Sequence, residues 1–158
     1  MNTAPEPKLA QLYQEVILDH NRNPRNFKEL PSPTAYSHGY NPLCGDDYHL
    51  YLNCAPGSII ADIGFKGNGC AISKASASMM TAMIKGKTLE EAGQLEKEVM
   101  ELLTREDVSP ALKEKAGRMV IFEGVKQFPV RVKCATLIWH ALADALKDVK
   151  QNQKTKGV

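Results

Sequence analysis

The hydrophobic pattern changes its period once along this chain of 158 residues, after Gly67-Asn68-Gly69. Before that point, residues 48–52 and 59–65 alternate from position to position, which is typical of strands with one buried face. The turn over residues 55–58 joins these two strands as an antiparallel hairpin, and residues 36–40 offer a third strand. After Gly69, apolar residues recur every three or four positions, which indicates helices.

Helices account for the remainder of the chain. Thr88 and Glu91 have the spacing of a capping box at one helix start. The predicted apolar stripes run, in chain order, over 9–17, 72–83, 92–103, 112–119 and 134–149. No internal repeat or linker divides the chain. The sequence therefore predicts a single α+β domain over 1–158, with a small antiparallel sheet of about three strands and helices on one side. Residues 151–158 are expected to form a basic, flexible tail.

The size and charge of the chain exclude several classes of protein. A chain near this length buries roughly 68 to 70% of its unfolded surface, so neither disulfides nor metal are needed for bulk stability. The net charge of +2 is far below the basicity that nucleic-acid binding leaves in a sequence, so we expect no nucleic-acid partner. Apolar runs such as 119–122 are too short to span a membrane. The first eight residues lack the apolar core of a secretory signal, which favours the cytoplasm.

The four cysteines favour metal or thiol chemistry in that reducing compartment, yet no two form a C-x-x-C pair. In Cys44-Gly45-Asp46, a tight turn at the glycine could aim a thiolate and a carboxylate at one point. Cys70 opens a helix after the glycine segment, and Cys134 is expected in the first turn of the last helix. A helix N-terminus stabilises thiolates.

Convergence of these residues would give three sulfurs and one oxygen, a tetrahedral zinc set. The members of this set are Cys44, Asp46, Cys70 and Cys134. Three thiolates and a carboxylate carry a charge of −4, which Zn²⁺ reduces to −2, so such a site should release one thiolate to a neutral imidazole. Cys54 shares the parity of Leu52 and is predicted to be a buried hydrophobe. The simpler alternative is that all four cysteines are core residues and that Asp46 only caps a turn.

The four histidines are weaker candidates for chemistry. His20 ends the first helix, where a cation would suit the helix dipole. His49 and His140 lie off the apolar faces of their elements and are expected to face solvent, and His38 is near Cys44 only in sequence.

Three long motifs resemble the NifU/IscU-like iron–sulfur scaffold superfamily, and together they span nearly the whole chain. Lys133 stands where scaffold members of the IscU type carry a histidine, and a helical insertion occupies residues around 88–125. Both features are similar to the SufU branch. The motifs are Asn41-Pro42-Leu43-Cys44-Gly45-Asp46, residues 67–80 from Gly67-Asn68-Gly69-Cys70 onward, and Arg131-Val132-Lys133-Cys134-Ala135.

The resemblance implies a zinc-dependent sulfur acceptor with the four ligands named above. It implies that Cys44 is the catalytic residue: a histidine of a PLP-dependent, SufS-like cysteine desulfurase replaces Cys44 on zinc, and the freed thiolate takes the persulfide sulfur. A downstream assembly complex of the SufBCD type would then receive it. One alternative is a scaffold that holds iron or a transient [2Fe–2S] cluster on the same ligands. Another is a non-catalytic adaptor whose zinc is structural.

Overall fold

Five α-helices, one 3₁₀ helix and one three-stranded sheet make up residues 7–156, the part of the chain that this computed structural model describes. Side chains are described from residue 10 to residue 151. The predicted α+β class is confirmed. The elements are α1 (Pro7–Arg22), β1 (Ala35–Asn41), β2 (Asp46–Ala55), β3 (Ile59–Asn68), α2 (Ala71–Ile84), α3 (Leu89–Thr104), α4 (Pro110–Ala116), the 3₁₀ helix (Gly117–Gln127) and α5 (Pro129–Lys156).

The sheet is an antiparallel meander in the order β1-β2-β3. Tyr48, Leu50 and Leu52 of β2 are fully buried on one face, against the helices. Tyr36 and Tyr40 of β1 are exposed on the other face. The alternation in the sequence therefore produces one helix-covered face and one solvent face, because successive side chains of a strand point to opposite sides.

Helix α2 lies at the centre of the helical layer and contacts α1, α5 and β3. Its small residues allow the neighbouring helices to approach closely. The Ser76 hydroxyl donates to the Ala135 carbonyl of α5 at 2.6 Å, and it accepts from the Trp139 indole N–H at 3.2 Å. This buried pair of hydrogen bonds holds α5 against α2, near the start of both helices.

The region predicted as a helical insertion consists of three helices, and residues 105–109 form a non-helical connection between the first and the second. Thr88 and Glu91 form both hydrogen bonds of the predicted capping box at the start of α3. Ser109 caps α4, which ends at Gly117 with a φ of +59°. That left-handed residue breaks the α-helix, and the chain continues as the 3₁₀ helix up to Gln127.

The C-terminal segment predicted as a tail continues α5 as far as Lys156, and residues 157 and 158 lie outside the described part. Its flexibility stays a prediction. Within residues 7–156, no helix combines the length and apolar character needed to cross a bilayer.

His20 lies in the last turn of α1 as predicted, but the expectation that it acts as a cation there is wrong. Its ring is buried against α2, and Nδ1 lies 2.7 Å from the Ser78 hydroxyl oxygen. That oxygen accepts from the Arg25 backbone N–H, so the hydroxyl proton is free to go to His20. Burial lowers the pKa of His20, which keeps the imidazole neutral.

Candidate metal and thiol site

Three separate segments meet at the edge of the helical layer and bring together the side chains that the sequence singled out. The loop after β1 supplies Cys44, and the first residue of β2 supplies Asp46. Cys70 lies at the start of α2, and Cys134 lies on α5. Because these segments are far apart in sequence, only the packing of α2 and α5 against the sheet makes them one site.

The glycine turn predicted at Cys44-Gly45-Asp46 is present. Gly45 has a φ of +69°, a left-handed conformation that favours glycine, and the Cys44 backbone N–H donates to the Asn41 carbonyl at 3.3 Å. The turn reverses the chain so that Cys44 stays half-buried while Asp46 enters β2 fully buried.

Cys70 is the N-cap residue of α2, as the sequence predicted. Its sulfur accepts from the Ser73 backbone N–H at 3.4 Å, and its own N–H donates to Asp46 Oδ1 at 2.9 Å. The position before it must be glycine, because a Cβ on Gly69 would lie 2.6 Å from Asp46 Oδ1. The glycine segment thus allows the buried carboxylate to reach the start of α2.

A chain of hydroxyl groups orients the Asp46 carboxylate. The Ser73 hydroxyl donates to Asp46 Oδ1 at 3.0 Å, and the Tyr48 hydroxyl lies 3.0 Å from the Ser73 oxygen. Since Ser73 has one proton and gives it to the carboxylate, Tyr48 is the donor of the second bond. Burial raises the pKa of Tyr48, so the phenol keeps that proton. Sequence reasoning did not identify Ser73 or Tyr48, although Ser73 stands three residues after Cys70 as capping partners do.

Cys134 lies in the second turn of α5, five residues after Pro129, so its predicted place in the first turn is wrong. The N-terminal helix argument for thiolate stability therefore applies to Cys70 and not to Cys134. The Cys134 side chain is buried, and its sulfur is 3.0 Å from the Cys44 sulfur, with both thiols free. Burial raises the pKa of Cys134, and the facing side chains of Cys44, Asp46 and Cys70 raise it further.

The arrangement fits a bound metal ion. Ligand atoms of Cys44, Asp46 and Cys134 all lie within 4.8 Å of one another. Asp46 Oδ2 is buried and has no hydrogen-bond partner among the described residues, although a buried carboxylate oxygen left unpaired is costly. Cys70 does not belong to that group of three, but its backbone N–H donates to Asp46 Oδ1 and holds the residue beside it. Three sulfurs and one oxygen are a donor set suited to zinc, and thiolates also serve iron–sulfur clusters.

An apolar cleft of about 730 Å³ opens next to the thiols. It lies between α1, the 3₁₀ helix and the start of α5, and Cys44, Cys70 and Cys134 all line it. Leu18 and Val130 contribute to its wall and are exposed. A second molecule could therefore reach the sulfur atoms from this side.

Two residues considered with the site lie outside its centre. Cys54 is at the far end of β2, where a register shift after Asn53 interrupts the alternation. It is half-buried and packs against the core, less buried than predicted, and burial raises its pKa. Lys133 precedes Cys134 in sequence but is exposed, and it makes no described contact with the thiols.

Comparisons with known proteins agree with this fold. The NifU-like N-terminal domain family matches residues 12–135. The chain is 41% identical over 134 residues to the zinc-dependent sulfurtransferase SufU of Bacillus subtilis, covering 85% of this chain and 88% of that protein. It is also 41% identical over 140 residues to the iron–sulfur cluster assembly scaffold protein IscU of Streptococcus pyogenes, covering 89% of this chain and 86% of that one.

A solved structure shares the fold at a TM-score of 0.77 and 33% identity: a putative iron–sulfur cluster assembly scaffold protein for the SUF system from Fervidobacterium islandicum, covering 86% of this chain and 97% of that one. The family match extends over most of the chain and includes all four candidate ligands, with Cys134 near its end. The chain therefore belongs to the NifU/IscU superfamily of iron–sulfur cluster assembly and groups with its SufU branch.

Proposed function

We propose that this protein accepts sulfur for iron–sulfur cluster biogenesis, with Cys44 as the accepting thiol. The donor would be the persulfide of a PLP-dependent cysteine desulfurase of the SufS type, and a SufBCD-type assembly complex would receive the sulfur. Zinc would be bound by four side chains: Cys44, Asp46, Cys70 and Cys134. The observation that carries the proposal is the buried Asp46 Oδ2, which lies beside the facing thiols and has no hydrogen-bond partner within the described part of the chain.

The four proposed ligands differ in how firmly hydrogen bonds hold them in place. Asp46 and Cys70 are fixed by hydrogen bonds to each other and to Ser73, so they suit a permanent role as ligands. Zinc, when bound, would keep the thiols deprotonated at neutral pH and give up one thiolate in exchange for a neutral imidazole. The donor set carries a charge of −4, which favours such an exchange.

Cys44 is the ligand best suited to leave and react. It lies on the loop between β1 and β2, and its neighbour Leu43 is 68% exposed, whereas Cys134 is 2% exposed within α5. Among the described residues, the Cys44 sulfur has a side-chain hydrogen bond with Cys134 alone. Cys44 already lines the apolar cleft, and because it lies on a loop its release from a metal ion would disturb no helix.

The transfer step balances without an added oxidant or reductant. The Cys44 thiolate attacks the terminal sulfur of the desulfurase persulfide and forms a new S–S bond. The old S–S bond breaks, its electron pair stays on the desulfurase cysteine, and that cysteine leaves as a thiolate. Cys44 then carries the persulfide. Exposed Leu18, Leu43 and Val130 beside the cleft support contact with a partner's apolar surface.

Sulfur transfer can be tested directly with a cognate desulfurase and cysteine. After brief mixing, mass spectrometry should find one added sulfur atom on the peptide that contains Cys44, and desulfurase turnover should rise. Cys44→Ala should abolish both effects, while Cys54→Ala, which removes a thiol at the far end of β2, should leave them intact. Full stimulation of the desulfurase by Cys44→Ala would overturn the proposal.

A second candidate function is scaffolding of a [2Fe–2S] cluster. It is favoured by three thiols that line one cleft, and by the similarity to the Streptococcus pyogenes protein whose name describes a scaffold. Anaerobic reconstitution with iron and sulfide distinguishes the two. A stable visible chromophore that passes to an apoprotein would support scaffolding, whereas a colourless zinc protein would support sulfur transfer.

A further inference from the structure

The solvent face of the sheet carries a second group of potential metal ligands, away from the thiols. His38 of β1 and His49 of β2 are direct cross-strand partners, and Asp47 lies on the same face two residues before His49. One ligand atom from each of the three lies within 4.8 Å of the other two. From the sequence, only His49 of these two histidines is predicted to face solvent, His38 is near Cys44 only in sequence, and no pattern links either to Asp47.

The two imidazoles are aligned as a pair. Their rings stack at a centroid distance of 4.6 Å with an angle of 7° between planes. His38 Nε2 is 2.5 Å from Asp47 Oδ1, and His49 Nε2 is 3.9 Å from the same oxygen. Each ring therefore directs its Nε2 atom towards the Asp47 carboxylate.

Tyr36 holds His49 in this orientation. Its phenol oxygen lies 2.5 Å from His49 Nδ1, and the two rings stack at 5.8 Å. With Nδ1 occupied by this bond, Nε2 is the nitrogen left for a ligand. Histidines that bind metals commonly donate their second N–H to such an outer partner, which fixes the ring.

A plain ion pair between His38 and Asp47 explains only part of this geometry. It needs neither the parallel ring of His49 nor the hydrogen bond between His49 Nδ1 and the Tyr36 oxygen, which leaves Nε2 facing the carboxylate. Lys66, the cross-strand partner of His49 on β3, does not compete for Asp47, because its ammonium lies 4.2 Å above the Phe27 ring.

We propose that His38, Asp47 and His49 form a second binding site, for a divalent transition-metal ion of the zinc class. Two imidazoles and one carboxylate are a recurring zinc donor set that leaves a coordination position open. The three ligands carry a charge of −1, against −4 at the thiols, and they lie at the surface. The ion should therefore bind more weakly and exchange more readily than one held by Cys44, Cys70 and Cys134.

The site is independent of the proposed sulfur transfer, although its carboxylate is the neighbour of Asp46. Asp46 points into the helical layer and is fully buried, whereas the Asp47 side chain is 47% exposed on the opposite face. Each of the two ions would thus occupy its own face of β2.

The test is titration of Zn²⁺ alone into untagged, full-length protein that already holds one zinc, followed by calorimetry and by NMR of the imidazole nitrogens. We expect a second, weaker equivalent that shifts the Nε2 signals of His38 and His49. His49→Ala and the near-isosteric Asp47→Asn should weaken that equivalent by at least about tenfold. His140→Ala, which removes an exposed histidine of α5, is the matched control and should change nothing.

Two outcomes would overturn the proposal. One is a titration that saturates at a single equivalent up to millimolar zinc, with unmoved Nε2 signals. The other is a second equivalent that survives unchanged in both His38→Ala and His49→Ala. Circular dichroism of each variant checks that the fold is retained, and assaying sulfur transfer by the same variants keeps failure of this site separate from failure of the thiol site.

Discussion

Two faces of one strand, β2, carry two polar clusters with opposite properties. On the helix side, Asp46 is fully buried among thiols and hydroxyls, and one of its oxygens has no partner among the described residues. On the solvent side, Asp47 is about half-exposed between two imidazoles. Asp46 and Asp47 are adjacent in sequence, and they lie on opposite faces because successive side chains of a strand point to opposite sides. The difference teaches that burial, rather than residue type, decides how strongly each carboxylate depends on a metal ion or hydrogen-bond donors.

The largest expected effect comes from removing each of the two carboxylates in turn. Asp46→Ala should reduce zinc affinity at the thiols by more than the roughly 10- to 100-fold that loss of an outer partner costs, because a ligand itself is removed. Asp47→Ala should leave that affinity unchanged. Competition with a chromophoric chelator measures both variants, and equal losses would mean that the two faces are not independent.

The two faces should also differ in their contribution to the free energy of unfolding. Leu50→Ala removes a fully buried side chain and should cost about 2 to 5 kcal/mol. Tyr51→Ala, one residue on, removes a partly exposed ring that contacts Tyr36 and should cost less than about 1.5 kcal/mol. Urea denaturation measures both values. A Tyr51 effect as large as that of Leu50 would show that the solvent face is covered in solution.

A moderate effect is expected from Ser73, which orients Asp46 without being a proposed ligand. Ser73→Ala removes the hydroxyl donor to Oδ1 and should weaken zinc binding at the thiols by about 10- to 100-fold. The control is Ser37→Ala on β1, whose buried hydroxyl donates to the Ala141 carbonyl. It should lower stability by about 0.5 to 1.5 kcal/mol and leave zinc affinity unaltered. Equal zinc affinities in the two variants would contradict the positioning role.

The smallest effect concerns His20, the buried histidine of α1. Because burial lowers the pKa of His20, the unfolded chain binds a proton first as the pH falls. This contribution to stability is therefore complete above the ordinary histidine pKa of about 6.5 and is lost as the pH falls towards the lower folded value. Unfolding free energies measured across that range should depend less on pH in His20→Gln than in the wild type. A pH dependence in His20→Gln equal to that of the wild type would contradict this prediction.

The sequence predicted most of the fold because its periodic signals were strong and local. The strands, the hairpin turn, the Thr88 capping box and the helical insertion all follow from patterns within about ten residues. Errors arose where local rules compete with packing. His20 looks like a helix-end cation, but contact with Ser78 of α2 buries it. The sequence predicts Cys134 in the first turn of its helix. Because α5 begins at Pro129, the cysteine lies in the second turn.

The sequence identifies the candidate ligands of the thiol site but not the residues that orient them. Cys44, Asp46 and Cys70 lie beside glycine residues at turns, and these glycines can be recognised in the sequence. Ser73 and Tyr48 cannot be recognised in this way, because a serine in a helix and a tyrosine in a strand are ordinary there. Their role arises only when β2 and α2 pack together.

By itself, the sequence determined the α+β class, the order of strands and helices, and the residues with the chemistry to hold a metal ion, because hydrophobic period, turn glycines and donor types are local properties. Only the tertiary structure decided which of these residues meet. It brings Cys134 of α5 within 3.0 Å of Cys44 and leaves Cys54 outside, and it assembles His38, Asp47 and His49 through strand register. Distances between residues remote in sequence depend on how whole elements pack, and no local pattern contains them.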